Sequence, residues 1–286
     1  MNTGNEDIKK SFSARTGIRF NPQSSLMISF NESVSSNING YNIDIRSTTR
    51  DYIGFGSYLS KGFPFSNWSF RVGGLEKIGF IKPYVSSMSL EHSFSGKQNL
   101  SWKFNEQGIM PINLFNISSF EDGNDDYLQF SRISRSFSPL IGISTTFNNG
   151  ISTNLRSNIT HTLDEVANGL TYISDNSILA TLTYNFSKGI RFPLPFSERN
   201  IYLRNNMNIS LNLDFSNKTE EGSKDKINFV EQNFTNTQKS VLRITYTLTD
   251  DITGSLFYEY RQTDTRLTGR RIDRDFGINL NVAIRG

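Results

Sequence analysis

The chain has 286 residues, no cysteine and a formal charge of +3 spread along its length, which excludes disulfide frameworks, thiolate metal sites, thiol catalysis and a basic nucleic-acid-binding block. Its apolar share of 36% is low for a soluble fold that must bury a compact core, while an aromatic share of 13% argues against disorder. Both fit a sheet with apolar side chains on one face only.

No stretch approaches 18 consecutive apolar residues, so no transmembrane helix is expected. The opening MNTGNEDIKK is polar and lacks the apolar core of a signal peptide, which suggests a fragment, a processed product or a displaced start codon. In chain order the pattern predicts strands at 11–20, 24–34, 41–60, 67–73, 85–95, 97–105 and 127–147, the last bent at Pro139. Further strands are expected at 151–162, 177–187, 201–215, 238–249, 252–262 and 274–285. That makes about thirteen by periodicity.

Alternation is clearest toward the C-terminus. Phe276, Ile278, Leu280, Val282 and Ile284 alternate with Gly277, Asn279, Asn281 and Ala283. Ile178 to Phe186, Met207 to Phe215 and Leu242 to Leu248 repeat the pattern, which puts every second side chain on one face. Each stripe runs about ten residues, or roughly 25 Å after tilt, the height of the apolar band on a membrane barrel. Soluble strands average about five to six residues.

Short turns are expected at 21–23, Gly96, 148–150 and 250–251, and long polar connections near 106–126, 163–176, 217–237 and 263–273. Short turns on one side and long loops on the other are the habit of outer-membrane barrels. The predicted fold class is therefore all-β, an antiparallel transmembrane outer-membrane barrel section over 1–286. A short helical insert is expected at 74–84 and a long outer loop at 217–237. If the stripes face lipid, then Arg15, Arg19, Arg156, Arg204, Arg243 and Arg285 fall on the opposite, lumen face. An odd strand count and the unusual start both suggest part of a larger barrel.

Little chemistry is visible. His92 and His161 lie in predicted strands without metal-ligand spacing and read as pore-wall or loop side chains. No nucleophile elbow, phosphate loop or dinucleotide fingerprint occurs, so the chain is expected to be no enzyme and to need no cofactor or metal. Glu121, Asp122, Asp125, Asp126, Glu220 and Glu221 could hold calcium weakly, with solvated loop charge the ordinary reading. Within NWSFRVGGLEKIGFIKPYV, Gly73-Gly74 permit a sharp turn, and Leu75, Ile78 and Ile81 recur at three-residue spacing before Pro83.

That segment, through Asn67, Trp68, Gly74, Leu75, Lys77, Ile78, Phe80 and Lys82, resembles the SprA/Sov family of cell-surface proteins of Bacteroidota. A second block, SFSPLIGISTTFNNGISTNLR, resembles the family's S-P-L-I-G strand pair through Pro139, Leu140, Gly142 and Gly150. Phe147 stands where the family has tryptophan, Phe65-Ser66 replace a proline, and the chain ends without a terminal aromatic. The resemblance implies the C-terminal portion of the outer-membrane translocon of type IX secretion, which also supports gliding motility. Its partners would be outer-membrane lipid, the remainder of the translocon barrel, a small shuttle β-barrel, a periplasmic plug protein and secreted protein cargo. The alternatives left open by the residues are a general porin or substrate-specific channel, and a soluble or surface-attached β-rich binding protein with its stripes packed between two sheets.

Overall fold

The computed structural model describes residues 5–39, 42–103, 128–166, 169–186, 190–193, 200–203, 205–249 and 251–283. These residues form β1 (Asn5–Asn21), β2 (Ser24–Asn39), β3 (Asn42–Phe55), β4 (Lys61–Pro64), β5 (Asn67–Gly73), β6 (Val85–Lys103), β7 (Leu128–Phe147) and β8 (Ile151–Val166). The chain continues as β9 (Gly169–Phe186), β10 (Ile190–Pro193), β11 (Asn200–Leu203), β12 (Met207–Ser223), β13 (Val230–Thr249), β14 (Ile252–Thr265) and β15 (Gly269–Val282). All the pairings are antiparallel. Thirteen strands join one sheet, and β10 and β11 pair separately. The all-β antiparallel class is as expected.

Register explains why the alternation was legible. Ile278, Leu256, Ile244, Ile209, Tyr184 and Ile151 stand in one row across β15, β14, β13, β12, β9 and β8. Phe276, Tyr258, Leu242, Leu211 and Leu182 form the next row on the same face. A one-residue slip in any strand would move its stripe to the other face, so the shared stripe fixes the register. The stripe continues through Leu26, Ile28, Trp68, Phe70 and Val72 on β2 and β5. At β15 it is uncovered: Ile278 is 72% exposed and Phe276 65%. A sandwich would bury these side chains between two sheets, and among the described residues no second sheet lies over them.

Several connections differ from the sequence reading. The expected long loops at 163–176, 217–237 and 263–273 are mostly strand: β8 runs to Val166, β12 to Ser223 and β14 to Thr265. Residues 217–237 are therefore a hairpin tip and not a long outer loop. Polar side chains on both faces hid these extensions, because period-two reading needs an apolar face. A strand of 17 residues, such as β12, is about 56 Å long at roughly 3.3 Å per residue. The apolar part covers the half near the 22–23 and 148–150 turns, and the polar half projects beyond it. The expected loop at 106–126 lies outside the described residues. In the 74–84 insert the only helix is a single 3-10 turn, Leu75–Lys77, entered through Gly74 at φ 80°, followed by further turns to Tyr84.

The other correction concerns Gly96. It is no turn: β6 is one strand through it. Its role is set by an excursion of the chain. β3 pairs with the far half of β2 and of β6, while β5 pairs with their near halves, so β3 and β5 together fill one strand position. Between them, residues 52–66 leave the sheet as the β3–β4 hairpin and lie over its stripe face. A Cβ on Gly96 would stand 2.0 Å from the Tyr52 carbonyl oxygen, so only glycine permits the crossing. Two side chains repair the broken ladder. The Asp51 carboxylate accepts from the Asn31 backbone N–H at 2.8 Å and from its side-chain amide at 3.0 Å. The Asn67 carbonyl oxygen accepts from the Gly96 N–H at 2.8 Å. Unpaired, such backbone groups would each cost about 1–3 kcal/mol.

Candidate functional site

The face opposite the stripe is the surface on which a function can be built. Between the two apolar rows this face reads Gly277, Phe257, Arg243, Ser210, Thr183 and Ser152, and the row beyond reads Asp275, Glu259, Val241, Asn212, Thr181 and Asn154. Arg15, Arg19, Arg156 and Arg243 all sit on it, by the pairings Arg15–Ser29, Arg19–Ser25, Arg156–Leu179 and Arg243–Ser210. Arg204 and Arg285 lie outside the described residues. Arg71, which sequence reading did not single out, joins the group: Glu91 accepts from Arg156 at 3.2 Å and lies 3.7 Å from Arg71. These pairs are solvent-exposed and contribute little to stability.

This face is hollowed over β1, β2 and β5 to β9. One hollow of about 710 Å³ is lined by Arg19, Arg71, Ser25, Ser89, Asn154 and Thr181. A second, of about 540 Å³, lies beside Arg15, Ser29, Ser69, Ser93 and Ser136. Hydroxyl and amide side chains with dispersed guanidinium groups make a wettable wall. Among the described residues no group of three or more His, Asp or Glu side chains is placed to hold a metal ion, and the acidic residues 121–126 are not among them.

Both histidines fall on the stripe face and not on the polar wall. The His92 ring stands between Trp68 and Phe137, centroids 6.4 and 5.8 Å away, with Nδ1 2.6 Å from the Leu140 carbonyl oxygen. His161 Nδ1 is 2.7 Å from the Tyr172 hydroxyl. The sequence pattern did show both in strands. It did not show which face each takes, because the apolar stripe is too sparse there to fix the parity.

The two family-like blocks meet in space through β6, a strand carrying neither. Trp68 stacks on Phe94 at 4.1 Å, and Phe94 touches Phe137 at 5.3 Å. Asn148 donates from its side chain to the Pro83 carbonyl at 2.8 Å and from its backbone N–H to the Tyr84 carbonyl at 3.0 Å. Pro139 sits at the register shift between Phe137 and Ile141, and Gly142 packs beneath its ring. Gly150 closes the β7–β8 turn at φ 86°. Gly74, Leu75 and Lys77 shape the 3-10 turn, and Ile78 follows it, exposed.

Farther along the strands, the hairpin tip is tied to the distal turn. Tyr58 stacks on Phe229 at 3.8 Å and meets Tyr172 edge-on at 5.0 Å. A hydrogen bond with Glu221 holds the Tyr58 phenol above its usual pKa. In the same turn Asp225 accepts from the Ile227 and Asn228 N–H groups at 3.0 and 2.8 Å, and these bonds hold its carboxyl below the ordinary range. A lowered pKa means that the ionised form orders the turn above the ordinary carboxylate range, and that the order is lost only as pH falls through the lower value. Protection of the Ile227 and Asn228 amides, taken relative to their intrinsic exchange rates, should therefore hold through pH 4 and fall only in stronger acid. In Asp225→Ala it should be low at every pH; wild-type protection in that variant would refute the assignment.

Long antiparallel strands with a belt of apolar side chains on one face and a polar hollowed wall on the other define an outer-membrane-type β fold and fit an outer-membrane location. No helix among the described residues is long and apolar enough to cross a membrane. No family model and no curated protein matches the chain. Among solved structures it is similar to OmpTdeltaL8, a loop L8 deletion mutant of OmpT, an outer membrane protein of Vibrio cholerae. Identity is 8% over 97% of each chain, with a TM-score of 0.29. A likeness of that size carries no argument for a particular activity. The expectation stated above that the chain is no enzyme is withdrawn, because the lack of a recognised sequence motif excludes no activity.

Proposed function

We propose that this chain is a section of the wall of an outer-membrane β-barrel, with the apolar stripe toward lipid and the arginine-, serine- and asparagine-bearing face lining a hydrated conduit. The observation that carries this reading is the register. One apolar row runs across six strands and the next across five, and the row between them on the other face is mainly polar.

The edges bear on the size of that barrel. β1 pairs only with β2, and β15 only with β14, among the described residues. Following the antiparallel pairings, β1 and β15 run in the same direction, so joining them would make a parallel pair. A second copy inserted the same way up would meet the same obstacle. Antiparallel closure calls for an odd number of further strands between them. Unpaired edges in lipid cost several kcal/mol per backbone group, so closure is required for insertion.

The finer reading is the C-terminal part of a SprA-like type IX translocon, passing protein cargo and serving gliding motility, with a shuttle barrel and a periplasmic plug as partners. Its support is the two sequence blocks around Asn67–Lys82 and Ser136–Arg156, which pack against each other across β6. Immunoblotting of cell fractions with an antibody against residues 217–237 tests it. A very large outer-membrane band is expected. A 32.5 kDa band in the outer membrane would replace the translocon by a self-contained channel, and a soluble product would overturn the wall reading itself.

A further inference from the structure

The β3–β4 hairpin forms a second layer over the stripe face, and its two sides differ. Tyr52, Gly54 and the fully buried Leu59 turn toward the sheet: Gly54 lies against Ile133, and its carbonyl accepts from Arg135 at 3.3 Å. Ile53, Phe55 and Phe63 turn the other way, with Ile53 opposite Phe63 and Phe55 opposite Lys61 in the hairpin register. Phe55, Phe63 and Phe65 are each more than 40% exposed. They are linked in sequence, Phe55 to Phe63 at 6.1 Å, Phe63 to Phe65 at 5.6 Å and Phe65 to Trp68 at 6.0 Å. Trp68 is itself a member of the apolar stripe. The aromatic ridge is thus continuous with the belt and lies where the belt gives way to the polar halves of the strands.

Resting on the wall reading above, we infer that this ridge is a lipid-binding surface: Phe55, Phe63 and Phe65 sit in the headgroup boundary of the bilayer, with Lys61 placed to meet lipid phosphate. Aromatic side chains suit that boundary because a ring tolerates both the acyl region and the hydrated headgroups, and a lysine beside them gains from anionic phosphate. An aqueous setting would leave an outward row of phenylalanines with no physical reason, and a purely acyl setting would not accept Lys61. The excursion of 52–66 then has a purpose beyond joining β3 to β5: it widens the wall's grip on the membrane at one level.

The absence of cysteine makes the test clean. Nitroxide-labelled Phe63→Cys, Ile278→Cys and Leu267→Cys variants of the full-length protein, reconstituted in phospholipid vesicles, are compared for collision with oxygen and with a water-soluble nickel chelate. Ile278 marks the belt, and Leu267, at 89% exposure, marks water at the β14–β15 turn. The oxygen-to-nickel ratio at position 63 is expected to be several-fold above that at 267 and below that at 278. A ratio at 63 equal to that at 267, with 278 still lipid-like, overturns this inference and leaves the wall reading intact. Shielding of 63 from both reagents means a protein cover and overturns it as well. A water-like ratio at 278 removes the wall reading too. Phe55→Cys repeats the measurement should Phe63→Cys fail to fold.

Discussion

Leu211→Lys is expected to destabilise the membrane-inserted protein by about 2–4 kcal/mol, the cost of a lysine near mid-bilayer on a lipid face. Leu211 lies between Leu182 and Leu242 in the apolar row, so lysine there cannot reach the polar wall. Its neighbour Asn212 points the other way and its side-chain oxygen accepts from the Thr181 hydroxyl at 2.9 Å. Asn212→Lys should change stability by less than about 0.5 kcal/mol, as an exposed polar substitution does. Denaturant unfolding in lipid vesicles, read by the loss of the heat-resistant fast-migrating band, measures both. Equal sensitivity of the two positions would mean that both faces are wet, and the facing assignment would be lost.

Gly96→Ala is the second large effect. The added methyl would stand 2.0 Å from the Tyr52 carbonyl oxygen and 2.8 Å from the Phe94 ring. A phenyl ring can turn aside; a backbone carbonyl moves only with its strand. Overpacking of this kind costs about 1–3 kcal/mol or more, and the hairpin is the element free to yield. Lifting it would separate Tyr58 from Phe229 and Tyr172 and free the backbone at the already exposed Lys61 for trypsin. Faster cleavage at Lys61 and a lower unfolding midpoint are therefore expected together. Gly254→Ala is the matched control in β14, where the nearest atoms are Leu248 Cδ1 at 3.7 Å and Leu280 Cδ1 at 4.0 Å, ordinary contacts within the belt. Unchanged cleavage and stability in Gly96→Ala would show that the hairpin does not cross there.

The sequence by itself determined the class of fold and the two faces of the wall. Side chains alternate strictly along a strand, so Ile278, Leu280, Leu211 and Leu182 declared a common face, and Arg15, Arg19, Arg156 and Arg243 the other, before any pairing was known. Tertiary structure alone decided where the strands end and what crosses them. The polar halves of β8, β12 and β14 carry no contrast between faces, so nothing local marked them as strand; their neighbours' ladders do. Gly96 was conspicuous in the sequence, but a glycine looks the same whether it turns the chain or lets another segment pass over it. Its reason is the Tyr52 carbonyl, which is 44 residues away in the numbering and a direct contact in space. Asp51 and Asn67 likewise have no local signal, since the N–H groups they satisfy, those of Asn31 and Gly96, lose their ladder partners only once β3 leaves the sheet and β5 takes its place.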